Sequence, residues 1–534
     1  MSHTLSNPLF RGLRVASWAA VLALPALAQA QTSAPFVPDW SASLAAQVVA
    51  PALAVDSGRN SVLAATRIGL PVALHKFGPT GAALWQRSLT GPASRAFDVV
   101  TDTAGHTVLG GSVLDASGLP QGTLVARFDA AGNLLWQDVG TGVAQVRELA
   151  LDASGNVYAL VQAGSSGASD VQLVKFGANG ARQWVRSFGA TLAGGLDALV
   201  LNSNGQPVVT GTSSASGSSQ AVVAAFDALG NPLAVMYPGT TGLSLAAGRN
   251  GEVYAVGGGG TGFLAIKYGA AFNELWRSTV TTSGTALRAV VDATGGLVMT
   301  GSFILPSSGG GFGATVVTYN WRTVRLSPAG ATVWSADFGY PHFTMGQPAA
   351  LALGIDGSVL VTGRSSEPMT NSSGAVGYGQ SMTTLRYTPA GVLDGTHYVS
   401  ASSSGADVEV ASDGGVHVVG DGNVLTGAPA PLLHFAGPVL APARPSALLV
   451  TGPVWESSSA TATVTVSSAA GVIVKLSSSN TSAARVPATV VVPAGATSAS
   501  FPVTTYAVRR NTAVTIKASA NGATLGTTVT VLNR

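Results

Sequence analysis

The stretch Asp152 to Trp184, DASGNVYALVQAGSSGASDVQLVKFGANGARQW, decides the fold. Its opening, Asp152-Ala153-Ser154-Gly155-Asn156, reads as a tight turn: the Asp side chain bonds its own backbone two residues on, and glycine accepts the positive φ that other residues resist. Val157 to Gln162 and Val171 to Phe176 are runs of Val, Leu and aromatics, the composition of strands and too short for helices. A Gly/Ser loop separates them. A second turn, Gly177 to Gly180, leads into a strand carrying Trp184. Four short strands, recurring every ~40 to 60 residues, predict the blade of a β-propeller.

Three landmarks track the repeat, and each occurs eight times. The Trp position holds Trp40, Trp85, Trp136, Trp184, Val235, Trp276, Trp334 and Asp394. The aromatic before the second turn falls at Phe77, Phe128, Phe176, Phe226, Tyr268, Leu326, Tyr387 and Phe435, and the first turns begin at Asp56, Asp102, Asp152, Asn202, Gly248, Asp292, Gly354 and Ala411. The landmarks are offset: a Trp strand at Asp39-Trp40-Ser41 has no unit before it, and the unit ending at Phe435 has no Trp strand. The sequence therefore predicts eight blades over residues 31–437, with the N-terminal strand completing the last. Because the tryptophans recur at one place in the repeat, they are expected to pack between blades rather than to bind.

Units such as LVKFGANGARQWVRSFG and LDALVLNSNGQPVVTG resemble the short β-propeller repeats of exported bacterial proteins, over residues 37 to 437. That resemblance implies an extracytoplasmic binding or structural role and carries no catalytic residues. RFDAAGNLLWQ is also similar to the Trp-containing repeats of quinoprotein dehydrogenases, which are eight-bladed.

All length variation falls on one face, that of the connections between second and third strands and between blades. Three consecutive expansions stand out: Ser302 to Arg322, Asp337 to Pro348 and Arg364 to Met382. They carry Phe312, Tyr319, Trp321, Tyr340, His342, Phe343, Met345 and Tyr378, with Arg322, Arg364 and Glu367 nearby. Exposed aromatics with a few polar groups suit stacking on sugar rings or anchoring a protein partner, and pinning of long loops to the rim is the competing role. Phe312, Tyr319, Trp321, Tyr340, His342, Phe343 and Tyr378 are the candidate ligand-binding residues.

Other signals fail. Gly257-x-Gly259-x-x-Gly262 spells a dinucleotide fingerprint, but FLAIKYG follows where a helix is required. The histidines His75, His106, His342, His397, His417 and His434 fall at different places in the repeat without metal-ligand spacing, which gives them scattered surface or packing roles. Asp98, Glu148, Asp197 and Asp407 lie near the starts of innermost strands, where carboxylates can serve acid–base chemistry or hold a cation. They are read as offset from one another, which favours bonding to strand ends. No cofactor, metal or catalytic residue is expected.

From Gly437 the repeat stops. Pro438, Pro442, Pro445 and Pro453 mark a stiff linker, placed over residues 438–446, and the remainder alternates as short half-buried strands: LLVTGPV, ATVTVS, VIVKLSSS, ATVVVPAGA, SASFPVTTY, TAVTIKASA and TTVTVL. About seven strands in some 90 residues suit an immunoglobulin-like β-sandwich over 447–534. VKLSSSNTSAARVPATVVVPAGATSASFPVTT resembles the bacterial immunoglobulin-like modules of surface proteins, which implies a spacer or adhesion role.

Arg11 and Arg14 precede an apolar run from Val15 to Leu27, and Ala28-Gln29-Ala30 supplies a small-x-small site, so residues 1–30 read as a signal peptide cleaved after Ala30. The run is shorter than the roughly 20 residues that span a bilayer, so no membrane span is expected. The absence of cysteine excludes disulfides and thiolate metal sites. Of the formal charge of +3, residues 1–30 carry +2, residues 31–444 carry −4 and the tail carries +5, so nothing resembles a nucleic-acid-binding face. The expectation is an exported all-β protein that binds a glycan or a surface protein without catalysis. The alternative is an extracytoplasmic enzyme, quinoprotein-like or carbohydrate-active, using channel acids.

Overall fold

A computed structural model describes residues 36–44, 48–164, 170–187, 199–213, 220–259, 262–281, 284–307, 316–339, 346–370, 376–399, 404–422, 429–437, 444–451, 453–468, 470–494 and 496–533. The expected signal peptide and most of the expected linker lie outside these residues. Among the described residues the chain is all-β, without a helix, and its four-stranded antiparallel sheets give it a propeller-like architecture.

Residues 40–435 form eight such sheets. Seven take consecutive strands in chain order; the first is Val48–Val55, Ser61–Arg67, Ala73–Phe77 and Ala83–Ser88. The eighth joins Gly405–Val410, Val416–Gly420 and Ala430–Phe435 to the N-terminal strand Trp40–Leu44, with Trp40 opposite His434 and Leu44 opposite Ala430. The first strand of each sheet touches the first strand of the next, and that of the eighth touches that of the first. Burial follows from this convergence. In the first sheet the second strand is buried on both faces, whereas the fourth is exposed along nearly all its length. Inner strands therefore read as continuous apolar runs rather than as alternation.

The turns form as the sequence dictates. Asp152 accepts backbone N–H bonds from Ser154 and Asn156 at 2.9 Å each, and Gly155 adopts φ +75°. A basic residue precedes most of the turn aromatics, Phe226 with Ala225 before it being an exception, and adds a tie that the sequence reading missed: Lys76 reaches Asp56 at 2.7 Å, Arg127 reaches Asp102 at 2.6 Å and Arg325 reaches Asp292 at 2.6 Å. Burial raises the Asp56 pKa, but the bonds from Lys76 and Asn60 outweigh it and hold the carboxyl below its ordinary value.

The tryptophans join neighbouring sheets, as their recurrence implied. Trp136 Nε1 donates to Ala178 O of the next sheet at 2.9 Å, and its ring covers Gly180, where a Cβ would lie 2.7 Å from the indole. Trp85, Trp184, Trp276 and Trp334 repeat this arrangement on Gly132, Gly230, Gly330 and Gly391, and Trp40 closes the series on Gly81 of the first sheet. The two lost indoles are compensated differently. Where Val235 replaces Trp, the glycine beyond it is replaced by Phe272, which keeps a positive φ of 60° and is buried in a cluster with Val223, Ala225, Ile266 and Tyr268. Where Asp394 replaces Trp, Phe36 lies against Gly395 and stacks on Phe435 at 4.0 Å.

The tail contains two sheets sharing one core. One holds Pro445–Thr451, Ser459–Val466, Ser498–Thr505 and Ala484–Arg485; the other holds Val454–Trp455, Ala523–Leu532, Thr512–Ala520, Ala470–Ser478 and Thr489–Ala494. Alternation places Val464, Val474, Phe501, Val503, Ile516 and Val531 between them. The first tail strand begins at Pro445, inside the segment expected to be a linker.

Candidate functional site

The expansions in the sixth and seventh sheets are taken up largely as longer hairpins. Leu297–Ser307 pairs with Val316–Leu326, and Val359–Thr370 with Val376–Tyr387, strands of 11 and 12 residues where the corresponding strands of the third sheet, Val157–Ala163 and Asp170–Phe176, have 7. Both hairpins project from the side on which second strands end, and they belong to adjacent sheets.

Of the seven candidate residues, Phe312, Tyr340, His342 and Phe343 lie outside the described residues. Tyr319 and Tyr378 lie on the hairpin strands, opposite Ile304 and Pro368. Trp321 corrects the expectation that it is an exposed ligand contact: it is 1% exposed. It packs with Val298, Leu351, Val361, Leu385 and Tyr387 between the sixth and seventh sheets, 5.7 Å from the ring of Phe338. The repeat itself contains the warning. Trp321 stands five residues before Leu326, and six of its seven equivalents, Val72, Val171, Ala221, Phe263, Met382 and Ala430, are fully buried, Thr123 of the second sheet being half-buried, because a third strand is largely covered on both faces there. Arg322 beside it makes a bidentate pair with Asp337 at 2.6 and 2.7 Å and lies 4.4 Å from the Phe303 ring centroid, which fixes the base of the hairpin.

Three of the four inner-strand acids are not offset from one another, contrary to the sequence reading. Each of Asp98, Glu148 and Asp407 follows a β-bulge at the same place in its first strand. Asp98 accepts the N–H of Leu149 at 2.7 Å, Glu148 that of Leu199 at 2.9 Å and Asp407 that of Leu53 at 3.3 Å, each in the next sheet. The bulge supplies an extra residue that a simple count does not register. Their bonding is nonetheless of the kind expected, to neighbouring strands. Asp197 lies outside the described residues.

Two histidines also depart from a scattered placement. His417 and His434 meet at the eighth sheet with ring centroids 4.7 Å apart; His434 stacks on Trp40 at 5.0 Å and bonds Asp39 at 2.6 Å. His417, fully buried, bonds Ser61 of the first sheet at 2.7 Å. Burial first, and His434 second, push its pKa down to about 4. This cluster ties the N-terminal strand to both sheets it closes. The Gly257–Gly262 segment is a hairpin, with Gly259 opposite Gly262, and opens no helix. A cleft of about 280 Å³ lies between the second and third sheets, lined among others by Thr123, Val146, Gln172, Phe176 and Arg182. Among the described residues, no cluster of three metal-ligating side chains occurs.

No known protein family matches the sequence, and no curated protein does. The solved structures similar to it include propeller-like proteins. A protein of unknown function from Bacteroides caccae has 12% identity over 54% of this chain and 93% of its own, with a TM-score of 0.30. A gluconolactonase from Xanthomonas campestris has 14% identity over 50% of this chain and 94% of its own, with a TM-score of 0.29. A putative glycoside hydrolase from Bacteroides ovatus has 10% identity over 54% of this chain and 86% of its own, with a TM-score of 0.26.

Proposed function

We propose that the protein is exported and acts without catalysis, as an eight-bladed propeller that binds a glycan or a surface protein, with an immunoglobulin-like sandwich as spacer. The observation that carries this reading is the pair of long hairpins on adjacent sheets, both on one face of an otherwise uniform array. Long hairpins on a rigid support are the usual place for recognition, because the scaffold meets the ordering cost of the site in advance. A role without catalysis is further supported by Asp98, Glu148 and Asp407, whose carboxylates tie strands of neighbouring sheets together. Closure of eight blades is supported by the mixed eighth sheet and by Trp40 on Gly81. The sandwich reading rests on the alternating strands of the tail and their common core.

The ligand face is the hairpin side of the sixth and seventh sheets. Tyr319 and Tyr378 belong to the projecting strands, and the neighbouring sequence segments supply Phe312, Tyr340, His342 and Phe343. The test is a screen of the mature protein against a panel of polysaccharides and intact bacterial cells. Saturable binding without turnover of the bound polymer is expected. Release of reducing ends, or redox turnover with a chromophore in the purified protein, contradicts it.

A further inference from the structure

The first strands of the second and third sheets carry an arrangement that the closure of the fold does not use. Arg95 and Phe97 lie on Ser94–Thr101, and Arg147 lies on Ala144–Leu151. Phe97 and Arg147 are the extra residues of the two β-bulges, at equivalent positions of adjoining strands. Both guanidinium groups lie over the one phenyl ring, Arg147 at 4.4 Å from its centroid and Arg95 at 5.7 Å. Among the described residues neither makes an ion pair. The carboxylates that follow them on the same strands, Asp98 and Glu148, accept backbone N–H groups of Leu149 and Leu199 in the following sheets. Burial of Arg147 and the nearby charge of Arg95 both lower the Arg147 pKa.

Two cations held against one ring repel each other, and the ring's quadrupole offsets only part of that cost. An anion with two or more oxygens removes the repulsion and uses the planar donors of both guanidinium groups. Access comes from one side: Arg95 is exposed, near the start of its strand, where the chain arrives from the preceding sheet. Strands alternate in direction within a sheet, so that side is also where second strands end and the long hairpins project.

We infer that Arg95 and Arg147, presented on Phe97, form an oxyanion-binding site where the first strands converge, and that it takes a carboxylate or sulfate group of an acidic polysaccharide. The polysaccharide part rests on the proposed ligand face; the oxyanion part stands on the arginine pair alone.

The test uses the mature full-length protein, Arg147→Met, Arg95→Met and, as a control for net charge, Arg509→Met/Arg510→Met in the tail. Probes are inorganic sulfate, polygalacturonate, dextran sulfate and neutral dextran. Sulfate should raise the melting temperature of the parent and of the tail variant, and raise it less in either site variant. At least one acidic polymer should bind the parent about tenfold or more tightly than Arg147→Met, the loss of a charge-assisted contact, while neutral dextran does not bind. Arg147→Met should melt no lower than the parent without anion, because it relieves repulsion; a lower melting temperature marks Arg147 as structural and overturns the site. Equal sulfate response in parent and site variants also overturns it, as does equal weakening by the tail variant, which marks non-specific charge attraction. A retained sulfate response with no polymer binding overturns the polysaccharide assignment and leaves the oxyanion site standing.

Discussion

The exchange at Val235 and Phe272 can be read as one event, and a double-mutant cycle tests it. Six glycines in equivalent turns are each covered by an indole from the preceding sheet; at the seventh such turn, Val235 stands in place of the indole and Phe272 in place of the glycine. Phe272 is 8% exposed and Val235 is 52% exposed, so the ring that fills this junction comes from the other side. Phe272→Gly removes a buried ring, which costs on the order of 3 to 5 kcal/mol. It also releases a non-glycine residue from φ 60°, which returns about 1 kcal/mol. The net expectation is a loss of about 2 to 4 kcal/mol. Val235→Trp alone finds its slot occupied and gains nothing. In the double variant the new indole covers the backbone at position 272 as Trp184 covers Gly230, and the coupling should be favourable by about 2 kcal/mol. The assay is urea unfolding of the four proteins, compared by midpoint at unchanged urea dependence. Additive effects, or a double variant less stable than Phe272→Gly, refute the reasoning.

Other expectations follow from single contacts. Trp136→Ala should lower stability by about 3 to 5 kcal/mol without removing ligand binding; unchanged melting with lost binding reverses the assignment of the tryptophans. Removing residues 36–44 takes away Trp40, Leu44 and the Phe36–Phe435 stack, so the melting temperature should fall sharply and recover when the missing segment is supplied in trans as a peptide; an unchanged melt contradicts closure by that strand. For His417, the unfolded imidazole protonates near pH 6.5 while the folded one resists until about 4, so the stability it contributes above pH 6.5 is lost as pH falls toward 4, by about 3 kcal/mol. His417→Phe loses the bond to Ser61 at every pH, but its stability should vary less between pH 6.5 and 4 than that of the parent; an identical slope refutes the assignment.

How far the sequence carried depends on how local each feature is. The turn at Asp152 and the indole at Trp184 repeat often enough that recurrence assigns them to scaffold, and the structure agrees. The tie from Lys76 to Asp56 was visible in the same way, as a basic residue before most of the turn aromatics, and went unread. Trp321 was misjudged because its segment is long, although its distance from Leu326 already put it where third strands are covered on both faces. The common position of Asp98, Glu148 and Asp407 was hidden by counting across turns and bulges. Contacts such as His417 with Ser61, or Arg147 with Phe97, join residues of different sheets, and no local pattern announces them.

The burial of Trp321 also fixes where the hairpin of the sixth sheet can be cut. Leu305 and Thr318 face each other beyond the packed base, so residues 306–317 can be replaced by an Asn-Gly turn without touching Ser302, Trp321 or the Arg322–Asp337 pair. The decisive measurement is the affinity of this trimmed protein for whichever polysaccharide or cell surface the mature protein binds, alongside its melting temperature. Loss of binding with an unchanged melt is the result predicted for a ligand face built on the long hairpins; undiminished binding contradicts it.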